Sequence, residues 1–204
     1  GVPTMIGKKR SIPAAPHWRT WTAGALSLGI WIVYAIDIVR QGHPELLGWL
    51  CNVALLLIGI GSLMRAPVLN TIGTLSLAAG FPLWLIGLAQ GLPLGFSSFA
   101  RHLGGLGLGI MSMRELGLPK GTWRRAFVFA VMLQQLLRLL LGPEGNVNGA
   151  FSIWPGWEPY FPSYLCFWLT VSVFLATAFA VSEAILRRLM VSQNMTTETL
   201  PSRR

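Results

Sequence analysis

Apolar and polar positions along this chain alternate in long blocks, not at the short periods of amphipathic elements. Six blocks come close to the ~20 apolar residues that a helix needs to cross a hydrocarbon core of about 30 Å: Trp21–Val39, Leu46–Met64, Val68–Ala89, Phe96–Met113, Trp123–Leu141 and Tyr164–Leu186. The pattern predicts an all-α fold, a polytopic integral membrane bundle of six transmembrane helices. Within the third block Pro82 removes a backbone donor and predicts a kink, and Gly91-Leu92-Pro93 predicts its end. The fourth block carries Gly105 and Gly109 four residues apart. Small residues at that spacing let a neighbouring backbone approach closely, which predicts a place in the bundle centre for this helix.

Composition agrees. With 53% hydrophobic residues, 11% charged residues and a mean hydropathy of +0.58, a 204-residue chain has too little polar surface to cover a water-soluble globule. The formal net charge of +9 would suggest nucleic acid for a soluble domain. Here the basic residues sit in short clusters between apolar blocks, which is a topology signal, and no nucleic-acid partner is expected. Lys8, Lys9, Arg10, Arg19, Arg65, Arg114, Lys120, Arg124, Arg125, Arg187, Arg188, Arg203 and Arg204 fall on one side of the six-helix plan, and Arg40, Arg101 and Arg138 on the other. This asymmetry predicts that both termini are cytoplasmic, in a bacterial inner membrane. The expected divisions are a basic cytoplasmic arm over 1–19, the transmembrane domain over 20–188 and a cytoplasmic tail over 189–204. Lys8, Lys9 and Arg10 resemble the front of a secretion signal, but the block behind them is long enough to span and no small-residue cleavage site follows. It is read as a retained helix.

That orientation turns the segment from Gln134 to Tyr164 outward: a helix end with Arg138, an asparagine-rich turn, then an aromatic, proline-rich run. Ionisable side chains are costly within a bilayer, yet many gather at this outer level. Asp37, Arg40, His43 and Glu45 lie between the first two helices, and Cys51 and Asn52 just inside the second. Ser97, Ser98, Arg101 and His102 open the fourth, Gln134, Gln135 and Arg138 end the fifth, and Glu144, Asn146 and Asn148 follow. Asp37 with Arg40, and Glu183 with Arg187 at the inner level, read as structural ion pairs from their helical spacing. Arg138 either snorkels outward or joins Gln134 on a polar stripe facing the bundle.

Several readings stand side by side for Cys51 and His102. A thiol near a neutral imidazole can be deprotonated and used as a nucleophile. Taken singly, a cysteine in an apolar helix is usually a small buried hydrophobe, and a lone histidine a structural residue. Cys51 and Cys166 both lie near outer helix ends and can form a disulfide in an external compartment. His43 and His102 can ligate a haem or chlorophyll-type metal. No metal-ion ligand set is assigned, and the sequence names no cofactor. Soluble-enzyme signatures, from Gly-x-Ser-x-Gly to the dinucleotide fingerprint, are absent, as is the midplane acidic residue of many transporters.

Three stretches taken together resemble a known family. Leu50-Cys51 near the start of the second helix, Phe96-Ser97-Ser98-Phe99-Ala100-Arg101-His102 entering the fourth, and an asparagine-bearing turn followed by Ile153-Trp154-Pro155-Gly156-Trp157-Glu158-Pro159-Tyr160 are similar to the YwaF-like membrane proteins, over roughly Glu45 to Tyr164. Animal relatives of that family are described as acyltransferases acting on membrane phospholipids. The resemblance carries the family's cysteine onto Cys51 and its histidine onto His102. The chain departs from the family pattern at Leu47-Gly48-Trp49, where a Pro-Leu usually precedes the cysteine motif, at Arg101, where a second histidine often stands, and in the Trp-Pro segment.

The functional expectation is thiol-dependent transfer or hydrolysis of a lipid acyl group, with membrane lipids as partners. Cys51 is the expected nucleophile and His102 the general base. Arg138 with Arg101 is expected to hold a phosphate or stabilise developing negative charge. Asn146 or Asn148 would add an amide donor, and His43 would complete the substrate side. The alternative is a non-catalytic subunit of a larger respiratory or photosynthetic complex, packed on other integral membrane subunits and on haem, pigment or lipid.

Overall fold

A computed structural model describes residues 18–91 and 95–198, with side chains as far as Met190, and in it the described residues form six helices and no strand. They are α1 Trp18–Arg40, α2 Leu50–Leu63, α3 Pro67–Ala89, α4 over 96–116, α5 Thr122–Leu140 and α6 Tyr164–Glu198. Three stretches, Trp18–Arg40, Pro67–Ala89 and Tyr164–Met190, are long and apolar enough to cross a membrane, and α2 is a shorter apolar helix. The chain is therefore a membrane protein. Of the expected arm over 1–19, residues 1–17 lie outside the described residues and Trp18 and Arg19 already belong to α1; the last residues of the expected tail, 199–204, also lie outside them.

The helix ends follow from local chemistry. α1 stops at Gly42, whose φ of +81° suits glycine. The second helix begins later than expected, because Pro44–Gly48 forms a tight 3-10 turn and Trp49 is extended (φ −56°, ψ 135°). Pro67 opens α3, where its missing N–H costs nothing. That helix passes through Pro82 without a break and ends at Ala89, just before Gly91 at φ +93°. α4 is α-helical at Phe96–Phe99 and Gly105–Leu116, with a wider π turn at Ala100–Gly104 that carries Arg101 and His102. α6 runs well beyond the expected end of the span at Leu186, to Glu198, and so continues into the expected tail over 189–204.

α3, not α4, takes the bundle centre. Asn70 to Leu77 are buried at every position, so this helix is covered all round, and it packs against α2, α4, α5 and α6. Small side chains on every face, among them Gly73, Thr74, Ser76 and Ala79, make that possible. The glycines of α4 still do what their spacing predicts, against α1, α2 and α3. A Cβ on Gly105 would lie 2.6 Å from Leu55 Cδ2, and one on Gly109 would fall on Thr74 Oγ1. Between α2, α3 and α4 a buried chain of hydrogen bonds runs from Asn70 Nδ2 to Ser62 Oγ (3.0 Å) and on to Ser112 Oγ (2.8 Å).

The end of the bundle at the α4–α5 turn is closed by the ion pair expected from spacing. Glu183 is 5% exposed, and its Oε1 lies 2.7 Å from Arg187 Nη2. Its carboxylate also accepts the backbone N–H groups of Gly121 (2.9 Å) and Trp123 (2.7 Å), satisfying donors at the N-terminus of α5. Arg187 in turn donates to the carbonyls of Leu118 and Pro119. The two side chains together clamp the 117–123 turn onto α6.

Candidate functional site

At the opposite end, the 146–150 turn is fixed from four directions. Asn148 adopts φ 56°, a left-handed conformation that asparagine tolerates. Its side chain bridges to the start of α2, accepting Leu50 N–H at 3.0 Å and donating to the Gly48 carbonyl at 2.9 Å. Gln134 of α5 donates to the carbonyls of Asn148 (2.9 Å) and Gly149 (3.2 Å), and receives Trp168 Nε1–H at 2.6 Å. The Tyr164 hydroxyl lies 2.7 Å from the Ala150 carbonyl. Asn146 closes its own turn, accepting the N–H groups of Phe151 and Ser152 and donating to Ser152.

Behind this turn lies a cavity of about 1020 Å³. Every helix contributes to its wall: Tyr34 and Asp37 from α1, Cys51 from α2, Trp84 from α3, Ser98, Arg101 and His102 from α4, Gln134 from α5 and Leu175 from α6. Glu45, Glu144, Asn146, Asn148, Trp154 and Trp157 line it from the connecting segments. Leu77, Leu83, Ile86 and Val131 give it an apolar side. A space of this size, apolar in the main with a few polar groups, has the form of a small-molecule site.

Cys51 and His102 both face this cavity, and they do not hydrogen-bond each other. The thiol packs on the Ala54–Ile58–Leu77 cluster, with Asn52 Oδ1 at 3.9 Å as its polar neighbour. His102 is 9% exposed, stacked on Trp84 with ring centroids 4.8 Å apart, and its Nδ1 lies 2.8 Å from the Ser98 carbonyl. A carbonyl only accepts, so Nδ1 carries the proton and Nε2 presents its lone pair. No protein group among the described residues hydrogen-bonds Nε2.

Arg101 is largely committed to structure. Its Nη1 donates to Asn52 Oδ1 at 2.8 Å, its Nε donates to the Ser97 carbonyl at 3.1 Å, and the guanidinium lies 3.6 Å over the Tyr34 ring. Asn52 completes the link by donating to the Leu46 carbonyl at 2.7 Å. The sequence reading placed Asn52 at this level without assigning it a role. The Tyr34 and Trp84 platforms leave no spacing signal, since stacking across helices depends on rotation about each helix axis.

Other expected members lie elsewhere. Arg138 lines a separate cleft of about 360 Å³ with Gln135, Tyr164 and Trp168, its guanidinium 5.5 Å from the Tyr164 ring, so it does not join Arg101 over one space. It sits at the exposed end of α5, where snorkelling toward the interface is easiest. His43 is exposed outside the cavity, with Nδ1 3.1 Å from Glu45 Oε1, so the two histidines do not face one ligand. Cys51 and Cys166 are both free, and Cys166 is exposed on α6, so the disulfide alternative is not realised. Asp37 and Arg40 do not form the ion pair expected from their helical spacing: both are exposed, where solvent competes for each charge. Among the described residues no group of three His, Cys, Asp or Glu side chains is placed to hold a metal ion.

Compared with known proteins, the chain matches no protein-family model, no curated protein and no solved structure.

Proposed function

We propose that this is a multi-pass protein of a bacterial inner membrane that admits a membrane lipid into the cavity and transfers or hydrolyses its acyl group. All six helices would cross, with both termini cytoplasmic and the cavity open to the outer side. In support, α5 has 19 residues, about 28 Å at 1.5 Å per residue. The 3-10 turn at Pro44–Gly48 extends α2 toward the same length. The basic residues flanking the clamped end outnumber those at the cavity end, as the positive-inside rule requires.

One observation carries the chemical reading: a thiol and an imidazole with an unengaged Nε2 line the same cavity. His102 Nε2 takes the Cys51 proton, directly or through one water, and the thiolate adds to the ester carbonyl. Collapse breaks the carbon–oxygen bond, and the imidazolium returns its proton to the departing alkoxide, leaving an acyl thioester on Cys51. Water or a second lipid hydroxyl then attacks the thioester, His102 accepting its proton, and the thiol is regenerated. The resemblance to YwaF-like proteins points the same way. Incubation with a lipid ester carrying a labelled acyl chain tests this. Label trapped on Cys51, lost in Cys51→Ala and strongly reduced in His102→Ala, is the expected result; no labelled Cys51 in the parent sinks the chemistry.

A second reading, a non-catalytic subunit of a larger membrane complex, draws on the fact that Asn52, Asn146, Asn148 and much of Arg101 are engaged within the protein. Co-purification with haem- or pigment-bearing partners, together with an inert Cys51, would favour it.

A further inference from the structure

We infer that the cavity selects an amphiphile whose head carries a positively charged amine, in preference to one whose head is only anionic; this rests on the lipid reading above. Three carboxylates from three separate segments line the cavity: Asp37 at the end of α1, Glu45 in the 3-10 turn and Glu144 in the loop after α5. Glu45 has His43 at 3.1 Å, whereas Asp37 and Glu144 have no hydrogen-bond or ion-pair partner among the described residues. Against them stands one arginine, Arg101, with Nε and Nη1 occupied and its face covered by Tyr34. A purely anionic head would meet two unpaired carboxylates and a guanidinium already bound on two nitrogens. An ammonium meets carboxylates, and Trp49, Trp154 and Trp157 line the same space, indole rings being the side chains that attract cations best.

His102 provides an observation independent of the carboxylates. It is 91% buried, lines the cavity and has no protein partner for Nε2. Nε2 opens on the cavity, so water or a ligand there completes its hydrogen bonding. The cavity thus has a negative rim, an unsatisfied acceptor in its wall and an apolar side for an alkyl chain. Zwitterionic phospholipid has an amine for the rim carboxylates, a phosphate for the Arg101 nitrogen that carries no protein hydrogen bond and acyl chains for the apolar side.

The test uses the full chain in the Cys51→Ala background, so that turnover does not consume the ligand. It is exposed to mixed micelles of phosphatidylethanolamine and phosphatidylglycerol with identical acyl chains, and the retained lipid is read by native mass spectrometry. The expected result is a preference of about tenfold for the amine lipid, equivalent to ~1.4 kcal/mol, falling to near parity in Asp37→Asn/Glu144→Gln. Both substituted residues are exposed and unpaired, so folding is preserved, and circular dichroism checks it. Equal or greater retention of phosphatidylglycerol by the parent overturns the charge selection while leaving the lipid reading standing. Retention of neither lipid overturns the lipid reading itself. A preference unchanged by the double substitution overturns the role of the carboxylates.

Discussion

Glu183→Gln removes the negative charge from the clamp while keeping nearly the same volume. The glutamine oxygen still accepts one of the two N–H groups from Gly121 and Trp123, but its NH₂ group meets the other donor head-on. Arg187 keeps its carbonyl contacts and loses its counter-charge. Breaking a fully buried pair costs about 3–5 kcal/mol, and an exposed one about 0–1 kcal/mol. The Glu183 side chain is 7% exposed and that of Arg187 30%, so the expected loss lies between these limits, at about 2–3 kcal/mol. Glu183→Met/Arg187→Met removes both charges and is expected to cost less than the sum of its single substitutions, with a coupling of about 1–3 kcal/mol. Tryptophan fluorescence during reversible unfolding by sodium dodecyl sulfate in mixed micelles measures each variant. A loss under about 0.5 kcal/mol for Glu183→Gln, or strict additivity in the cycle, would mean that solvent already supports both charges and that the clamp is not what holds the turn.

Gly109→Ala puts a methyl on Thr74 Oγ1 and 3.1 Å from Ile58 Cδ1, and overpacking of this kind is expected to cost about 1–3 kcal/mol. Gly107→Ala, on the same helix with nothing within 4 Å of the new carbon, is its control and should stay within about 0.5 kcal/mol of the parent; equal effects at both sites would contradict the packing. Asn148→Ala leaves Leu50 N–H and the Gly48 carbonyl unpaired and places alanine at positive φ. It should speed hydrogen exchange at the Leu50 amide by about tenfold or more, matching a loss of ~1.4 kcal/mol or above, and an unchanged rate would remove the turn's role as a cap.

Membrane character and helix number follow from block length and need no tertiary information, so both were readable from the chain alone. The position of the polar groups along the helix axis was equally accessible: Asp37, Cys51, His102, Gln134 and Asn148 do meet around one cavity. Rotation about each axis was not. Gln134 and Arg138 are one turn apart, but the first holds the 146–150 turn and the second lines another cleft. The glycine spacing of α4 correctly predicted close packing and misjudged which helix is central, because centrality depends on being small on every face, as α3 is from Asn70 to Leu77. The late start of α2 turns on Trp49, whose extended backbone no residue-type preference would have singled out.

The two ends of the bundle treat their polar groups in opposite ways. At the clamped end each oxygen of Glu183 and the donors of Arg187 find partners, so the charges serve only to fix the turn. At the cavity end the 146–150 turn is bonded through Asn146, Asn148, Gln134, Tyr164 and Trp168, yet the Asp37 and Glu144 side chains, His102 Nε2 and the Trp154 indole N–H are left without protein partners in residues that line one space. Had these groups been placed only for stability, the neighbouring Arg40 would be expected on Asp37, and a donor on Nε2. A rigid wall around unsatisfied polar groups is the arrangement a binding site requires, since the frame sets their positions before a ligand arrives. Under the proposed lipid reading, recognition belongs to the cavity end, and the rim carboxylates and His102 are the first positions at which binding and stability should separate.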